Sequence, residues 1–405
     1  MKILVSPIDA QNVPNILVAH AVKPDKLILL VSKRMEDHAR WFIKALACGG
    51  LDYKTRCEQI RIEDTESIDQ MKSVLQGLYD INAGAEWAVN LTSGKKPLCM
   101  GAYEFFKGKD ANMLYIYDDD QTQAIDFSGK PSMDLCHKVS IVEFMAGYDF
   151  DLLNFASLKK AEIGAYGWFE LAAMMAFYQD ESSLKHFLSD LLYLSGQRDG
   201  RNKGMELRKA DQVILRKDEL LNKVSNLFTL KIDGSVLYGA LDKYAVRFFT
   251  GGWLTVFIWG LLKRLDGDLI WDLHMGVSFG KKGRPFDKVH NEWDVVFMKN
   301  QSLYTIECKT GEQKQDPTGN ETLYKIEAIK SLFGAIRIPS YLITTAPNVL
   351  DEKGDVKEHI ANRAQIYDCK VITGDVIQRL ATLELTKDRK LPGVIRKVFE
   401  LNYSA

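Results

Sequence analysis

Several features that announce a protein class are missing or scarce in this sequence. Its six cysteines, Cys48, Cys57, Cys99, Cys136, Cys308 and Cys369, are scattered through 405 residues with no C-x-x-C pair. That spacing argues against a disulfide framework and predicts reduced thiols in a cytoplasmic protein. The seven histidines are equally dispersed, without H-E-x-x-H or another zinc spacing. His137 adjoins Cys136, but neighbours on a strand face opposite ways, so both read as structural. Charge of one sign is lacking too: 53 Lys and Arg stand against 54 Asp and Glu, for a net charge of −1. Bulk charge therefore advertises no polyanion partner, and any basic surface must be local. No apolar run approaches the roughly 18 residues of a membrane span, so no membrane partner is expected. The opening MKILVSPIDAQ carries one short apolar run, too short for a secretory segment. Internal repeats and low-complexity tracts are absent.

What remains is an ordinary globular composition, 46% hydrophobic and 26% charged. At roughly 100–200 residues per domain the length suggests two to three domains. Residues 1–147 alternate short apolar runs with helical patterns: KILVS, KLILLVS, CEQIRI, WAVNL and MLYIYD read as strands, with helices between them. That rhythm predicts an α/β fold with a doubly wound, Rossmann-like parallel sheet. Residues 148–248 read as mostly helical. Within them 196–212 reads as a solvated connector, and 227–241 as a hairpin turning at Asp233-Gly234. A small winged-helix or bridging module is the expectation there. Residues 249–405 return to α/β, with a broad apolar helix at 253–265 and strands at 272–279, 292–299, 302–309 and 341–345.

The most informative run is NEWDVVFMKNQSLYTIECKTG, residues 291–311. EWDVVFMK and SLYTIECK read as an antiparallel pair turning at Lys299–Gln301. Alternation places Glu292 and Asp294 on one face, and Glu307 and Lys309 on one face of the partner strand. If the faces coincide, three carboxylates and an ammonium converge. Such carboxylates repel one another, and a divalent cation relieves the repulsion; hard oxygen donors suit Mg²⁺ or Mn²⁺. A lysine beside that cation can orient or help deprotonate an attacking water, or stabilise charge on a phosphate. The preceding KKGRP loop (281–285) reads either as a phosphate-tracking element or as a solvated loop.

The second informative run is AVNLTSGKKPL, residues 88–98. A strand ends, Thr92, Ser93 and Gly94 turn the chain, and a helix starts near Pro97. In a doubly wound sheet this is the ligand-facing edge, and a helix N-terminus there offers N–H groups to an anion. The loop after the first strand, SPIDAQNVPN, occupies the neighbouring position with Gln11 and Asn12. The same polar residues also suit helix capping, and capping or turn roles are the expectation for Ser32 and Asp118. G-x-x-x-x-G-K-[ST] is absent, so ATP hydrolysis is not inferred.

Both runs resemble a known family. Asp294, twelve residues, then Glu307-x-Lys309 matches the Asp…Glu-x-Lys signature of restriction-endonuclease-like nucleases. The run, with ETLYKIEAIKSLFG (321–334) after it, resembles the C-terminal domain of CRISPR-associated effector nucleases. The resemblance implies Asp294 and Glu307 as metal ligands, Lys309 as the catalytic lysine and Glu292 as a supporting acid. A further Glu ligand on the preceding helix, common in that superfamily, has no counterpart here; Thr255 stands at the corresponding place. N-x-T-x-G-x-K-P resembles the nucleotide-sensing CARF domain of type III CRISPR accessory proteins. That implies Thr92, Ser93, Gly94, Lys95 and Lys96, with Gln11 and Asn12, as contacts to a cyclic oligoadenylate, cyclic tetra-adenylate first among ring sizes, across a homodimer. The combined expectation is an activated nuclease acting on DNA or RNA. Two alternatives stay open: a nucleic-acid-binding regulator with an inactive nuclease domain, and a ring nuclease degrading its own activator.

Overall fold

The computed structural model describes residues 1–117, 121–267, 269–281, 291–311, 316, 320–334 and 336–401. Its N-terminal sheet has seven strands: β1 (Lys2–Pro7), β2 (Lys26–Val31), β3 (Cys57–Arg61), β4 (Glu86–Asn90), β5 (Ala111–Ile116), β6 (Gln123–Asp126) and β7 (Met133–Asp134). Their order is β3-β2-β1-β4-β5-β6-β7, with the first five parallel. β1 and β2 are buried along almost their whole length, as central parallel strands covered on both faces must be. Helices α1 (Val13–Val22), α2 (Glu36–Cys48), α3 (Ile68–Ile81) and α4 (Lys96–Phe106) cover the faces. Pro residues open α1 and α4, where a missing N–H costs nothing, and the Ser67 side chain accepts from Gln70 N to start α3.

β6 and β7 are additions to the five strands that the sequence pattern predicts. They form an antiparallel extension, anchored by Asp126, which accepts hydrogen bonds from Met113 N, Ser128 N and Asn112 Nδ2. α5 (Ile141–Ala146) comes next, with Ser140 and Glu143 forming a reciprocal cap.

The middle of the chain is woven into the C-terminal part. β8 (Asp151–Leu152) pairs with a strand of the C-terminal sheet. α6 (Phe155–Tyr166), α7 (Phe169–Phe177), α8 (Ser182–Gln197), α9 (Gly200–Lys203) and α10 (Asp218–Phe228) lead to a three-stranded sheet of β9 (Met205–Leu207), β10 (Lys231–Asp233) and β11 (Val236–Leu241). β10 and β11 make the expected hairpin, with Gly234 at φ 60°. The stretch 196–212 is not merely a solvated connector. It contributes β9, whose Met205 and Leu207 point inward around exposed Glu206 and pair with β11. Arg198 forks onto Asp211 at 2.6 and 2.8 Å across the same stretch. Its charged residues hid a short alternating strand.

The C-terminal sheet comprises β12 (Trp271–Gly280), β13 (Asn291–Lys299), β14 (Ser302–Lys309), β15 (Ser340–Thr344) and β16 (Cys369–Ile372), in the order β16-β15-β14-β13-β12-β8. α11 (Lys243–Arg247) and α12 (Trp253–Leu262) precede it; α13 (Asn320–Ser331), α14 (Glu358–Ile366), α15 (Gly374–Leu385) and α16 (Leu391–Val398) accompany the later strands. The helical run Lys243–Leu265 is apolar and long enough by composition to cross a membrane, contrary to the expectation that no run approaches that length. In the fold 78% of its most apolar 18-residue window is buried, as befits a core helix.

Two cores cross the segment boundaries. One joins α7, α8, α10 and α12 to Val295, Phe297, Ile306 and Cys308 on one face of the C-terminal sheet. The other joins the α1–α2–α5 layer to Val277, Phe279, Trp293, Val296 and Phe333 on the opposite face. Its aromatic centre stacks Phe279 on Trp293 with centroids 3.9 Å apart, and sets Phe150 4.8 Å from Phe333. The β13–β14 turn is held from the N-terminal side as well. Asn300 and Gln301 both have positive φ, and Gln301 donates to His137 O at 2.7 Å while accepting from Val139 N at 3.0 Å.

Candidate active site and ligand-facing loops

The ladder between β13 and β14 runs from the Lys299–Ser302 pair to the Val295–Ile306 pair and stops there. Beyond it, β14 continues against β15 alone, with Glu307 opposite Leu342 and Lys309 opposite Thr344. The divergence frees the N–H of Cys308, which a buried backbone cannot leave unpaired. Asp294 Oδ2 accepts it at 2.7 Å, so this carboxylate sits in the fork between the strands. Glu307 is only 5% exposed, and its Oε1 accepts from Lys309 Nζ at 2.7 Å and from Lys325 Nζ of α13 at 2.8 Å.

Burial carries the Asp294 carboxyl up to about 7 and the negative charge of Glu307 adds to the rise, while the Cys308 N–H and the two lysines pull the other way. Burial alone would lower the Lys309 ammonium; Glu307 and Asp294 outweigh it and hold the group above the usual lysine range. Among the described residues no donor reaches Asp294 Oδ1 or Glu307 Oε2. Two crowded carboxylates with unshared oxygens, one resisting ionisation, form a donor set that fits a hard divalent cation.

At the other end of the chain, the loops after β1 and β4 meet. Gly94 has φ 105°, and a Cβ there would lie 2.6 Å from Pro7 Cβ. Thr92 Oγ1 accepts from Ile116 N, and Ser93 is 4% exposed with no hydrogen-bond partner on its hydroxyl. Lys95 reaches Glu66 at 2.7 Å and Thr65 at 2.9 Å across α3's entry, and Lys96 and Gln11 are exposed.

Two family models match the chain: the Card1 CARF domain over residues 3–144, and the Card1-like endonuclease domain over residues 242–367. The chain belongs to the Card1-like CARF nucleases. No curated protein matches it in sequence. Among solved structures, this Card1-like chain is similar to protein VC1899 from Vibrio cholerae at 20% identity and a TM-score of 0.75, covering 96% of this chain and 98% of that one. Can2 from Sulfobacillus thermosulfidooxidans, solved in complex with cyclic tetra-adenylate, matches at 18% identity and a TM-score of 0.68, over 95% and 96% of the two chains. A type III CRISPR defence DNA nuclease activated by cyclic oligoadenylate matches at 14% identity and a TM-score of 0.52, over 90% of this chain and 51% of that one. At these identities the likeness is one of fold.

Within this Card1-like frame the sequence expectations divide. Asp294, Glu307 and Lys309 come together at the fork. Glu292 makes no hydrogen bond to them among the described residues: it is exposed and opposite Ser278, with its carboxylate 3.9 Å from where a Cβ of Gly276 would lie. Simple alternation fails there because Trp293 and Val295 lie in different cores; the sheet turns over near Gly276, whose φ is 63°. Thr255 is hydrogen-bonded with the Cys308 thiol, which lies in the α12-side core. Asn12 is a correction. It is fully buried and donates to Gly147 O at 2.8 Å, tying α1 to the end of α5, so a ligand cannot reach it. Of the KKGRP loop, Lys281 lies 3.3 Å from Asp149 and over the rings of Trp41 and Phe150, a packing role; residues 282–285 lie outside the described residues, as does Asp118. Ser32 precedes a 3₁₀ turn without a side-chain cap. Lys325 escapes the sequence reading. It stands in the helix text after the Glu-x-Lys run with nothing to mark it, and only the packing of α13 over β14 brings it to Glu307.

Proposed function

We propose that this Card1-like nuclease is switched on by a cyclic oligoadenylate, cyclic tetra-adenylate first among ring sizes, and cuts nucleic acid at Asp294, Glu307 and Lys309. The observation that carries the reading is one chain in which the sheet bearing the Gly94 turn packs, through a common core, on the sheet bearing the forked Asp–Glu–Lys site. The solved structure of Can2 with cyclic tetra-adenylate supports the choice of activator. In this reading residues 1–147 sense, 148–248 bridge and 249–405 cut, and two chains form a homodimer so that the ring lies on their two-fold axis. Gln11, Thr92, Ser93, Gly94, Lys95 and Lys96 supply contacts from each chain.

Asp294 and Glu307 would hold Mg²⁺ or Mn²⁺, which supplies Lewis-acid polarisation and an activated water when bound. Lys309 stays protonated beside Glu307 and so serves as a fixed positive charge for the developing phosphoryl oxygens rather than as a proton acceptor. Lys325 shares Glu307 with it and sets where that carboxylate points. The sensor acts through the aromatic seam of Phe144, Tyr148, Phe150 and Phe333, which reaches Trp293, the residue before Asp294. The activator works only if it favours the cutting arrangement over the resting one.

The deciding experiment is a cleavage panel of single- and double-stranded DNA and RNA, in Mg²⁺ or Mn²⁺, with each cyclic oligoadenylate and with none. Metal-dependent cutting that needs the ring and is abolished by Glu307→Gln is expected. Full cutting without any ring removes the activation; cutting untouched by Glu307→Gln removes the site. Loss of the ring with no nucleic acid cut points to a ring nuclease instead.

A further inference from the structure

His20, in the last turn of α1, His137, just before α5, and Glu143, within α5, are far apart in sequence and meet at one point. Their donor atoms all lie within 4.8 Å of one another. Glu143 Oε1 is 2.9 Å from His137 Nε2 and 3.2 Å from His20 Nε2, and the two imidazoles stack with centroids 3.4 Å apart at 5°. The place is closed: 7% of the His20 side chain and 2% of Glu143's are exposed. Ser140 N and Oγ hold the other oxygen, Glu143 Oε2, each at 3.0 Å.

Two observations go beyond a satisfied polar cluster. His20 Nε2 makes no hydrogen bond of good geometry, its polar approach being to Glu143 Oε1 at 3.2 Å. A buried nitrogen held by that approach alone is incompletely satisfied. The second observation is Gly49, at the end of α2. A Cβ there would lie 1.9 Å from Glu143 Oε1 and 2.8 Å from His20 Nε2, so only glycine leaves the carboxylate and imidazole their place.

The geometry points to a second metal site, distinct from the nuclease centre, in which His20, His137 and Glu143 take a borderline transition cation of the Zn²⁺ class. Two imidazole nitrogens and a carboxylate oxygen are a zinc ligand set with a fourth position open, whereas Mg²⁺ and Ca²⁺ favour oxygen alone. Tetrahedral ligands about 2.0–2.2 Å from zinc stand about 3.3 Å apart; Glu143 lies 2.9 and 3.2 Å from the two imidazole nitrogens, and all three donors lie within 4.8 Å of one another. Capture requires Glu143 to release His137 and the rings to tilt apart about χ2. Because Gln301 of the β13–β14 turn holds the His137 carbonyl, the ion fastens the sensor where it grips the catalytic hairpin.

The test uses the full chain, stripped with chelator and given one equivalent of Zn²⁺. Zinc X-ray absorption is expected to show two imidazoles in the first shell, and the melting temperature to rise with zinc by mass action. His20→Gln and His137→Gln are each expected to weaken zinc retention by more than about tenfold, as loss of a direct ligand should exceed second-sphere effects. Zinc that fails to stay bound, or a shell without two imidazoles, overturns the site, and the wild-type spectrum decides even where a variant does not fold. Unchanged retention in both folded variants overturns it as well. The nuclease reading is untouched by either result, since Glu307→Gln tests that separately.

Discussion

Asp294→Asn should make the metal-free protein more stable while abolishing cleavage. The carboxyl is carried from its ordinary 3.8 to about 7 by burial and by Glu307, which at 1.36 kcal/mol per pH unit disfavours the ionised folded state by about 4 kcal/mol above neutral pH. The amide oxygen of the variant still accepts from Cys308 N, as the protonated carboxyl would, and the help that bond gives the ionised carboxylate is already contained in the value of about 7. The expectation is therefore a gain of about 4 kcal/mol at pH 8 in chelator. The sign comes from linkage. A folded pKa above the unfolded one means that wild-type stability, relative to the variant, falls as pH rises from about 4 to about 7 and is level beyond. Urea unfolding of both proteins at pH 5 and pH 8 in chelator measures this; the gap should be small at pH 5 and wide at pH 8. Adding Mn²⁺ should then stabilise the wild type selectively and close the gap. Equal stability at pH 8, a gap indifferent to pH, or equal stabilisation of both proteins by Mn²⁺ would refute the account of a strained, ion-seeking fork.

Three further outcomes are expected. Lys325→Ala removes an ammonium that competes for Glu307, so half-saturation in Mn²⁺ titrations should fall while the maximal cleavage rate drops by about tenfold. Gln301→Ala leaves the buried Val139 N–H unpaired and should lower stability by about 2 kcal/mol in denaturant unfolding; it should also blunt the stimulation of cleavage by activator, since it cuts the bond between sensor and hairpin. Gly94→Ala would strain a backbone at φ 105° and drive a methyl group against Pro7, so cyclic tetra-adenylate binding by calorimetry should be lost while the C-terminal site stays formed.

The strands and helices of the N-terminal sheet were legible because buried parallel strands are continuous apolar runs and their helices carry a 3.6-residue period. β6 and β7 were not, because a four-residue strand and the two-residue edge strand beyond it bury too little to leave a pattern. β9 hid among charges for the same reason. At the active site, the spacing of Asp294, Glu307 and Lys309 was enough to find the trio, but alternation then misplaced Glu292, since the turnover near Gly276 breaks the two-residue rule. Asn12 looked like a ligand contact for being polar at a strand end, and proved a buried tie to Gly147.

Local information thus determined which segments are strands and helices, where the chain turns at Asp233-Gly234 and Asn300-Gln301, and which acids and lysine are the candidates for the chemistry, because these depend on residues near one another in the chain. Only tertiary structure decided that β13 and β14 part at Val295–Ile306, that Lys325 reaches Glu307 and that His20 meets His137 and Glu143. Those contacts arise when separate elements are pressed together by shared cores, and the sequence distances they span leave no periodic trace in either partner.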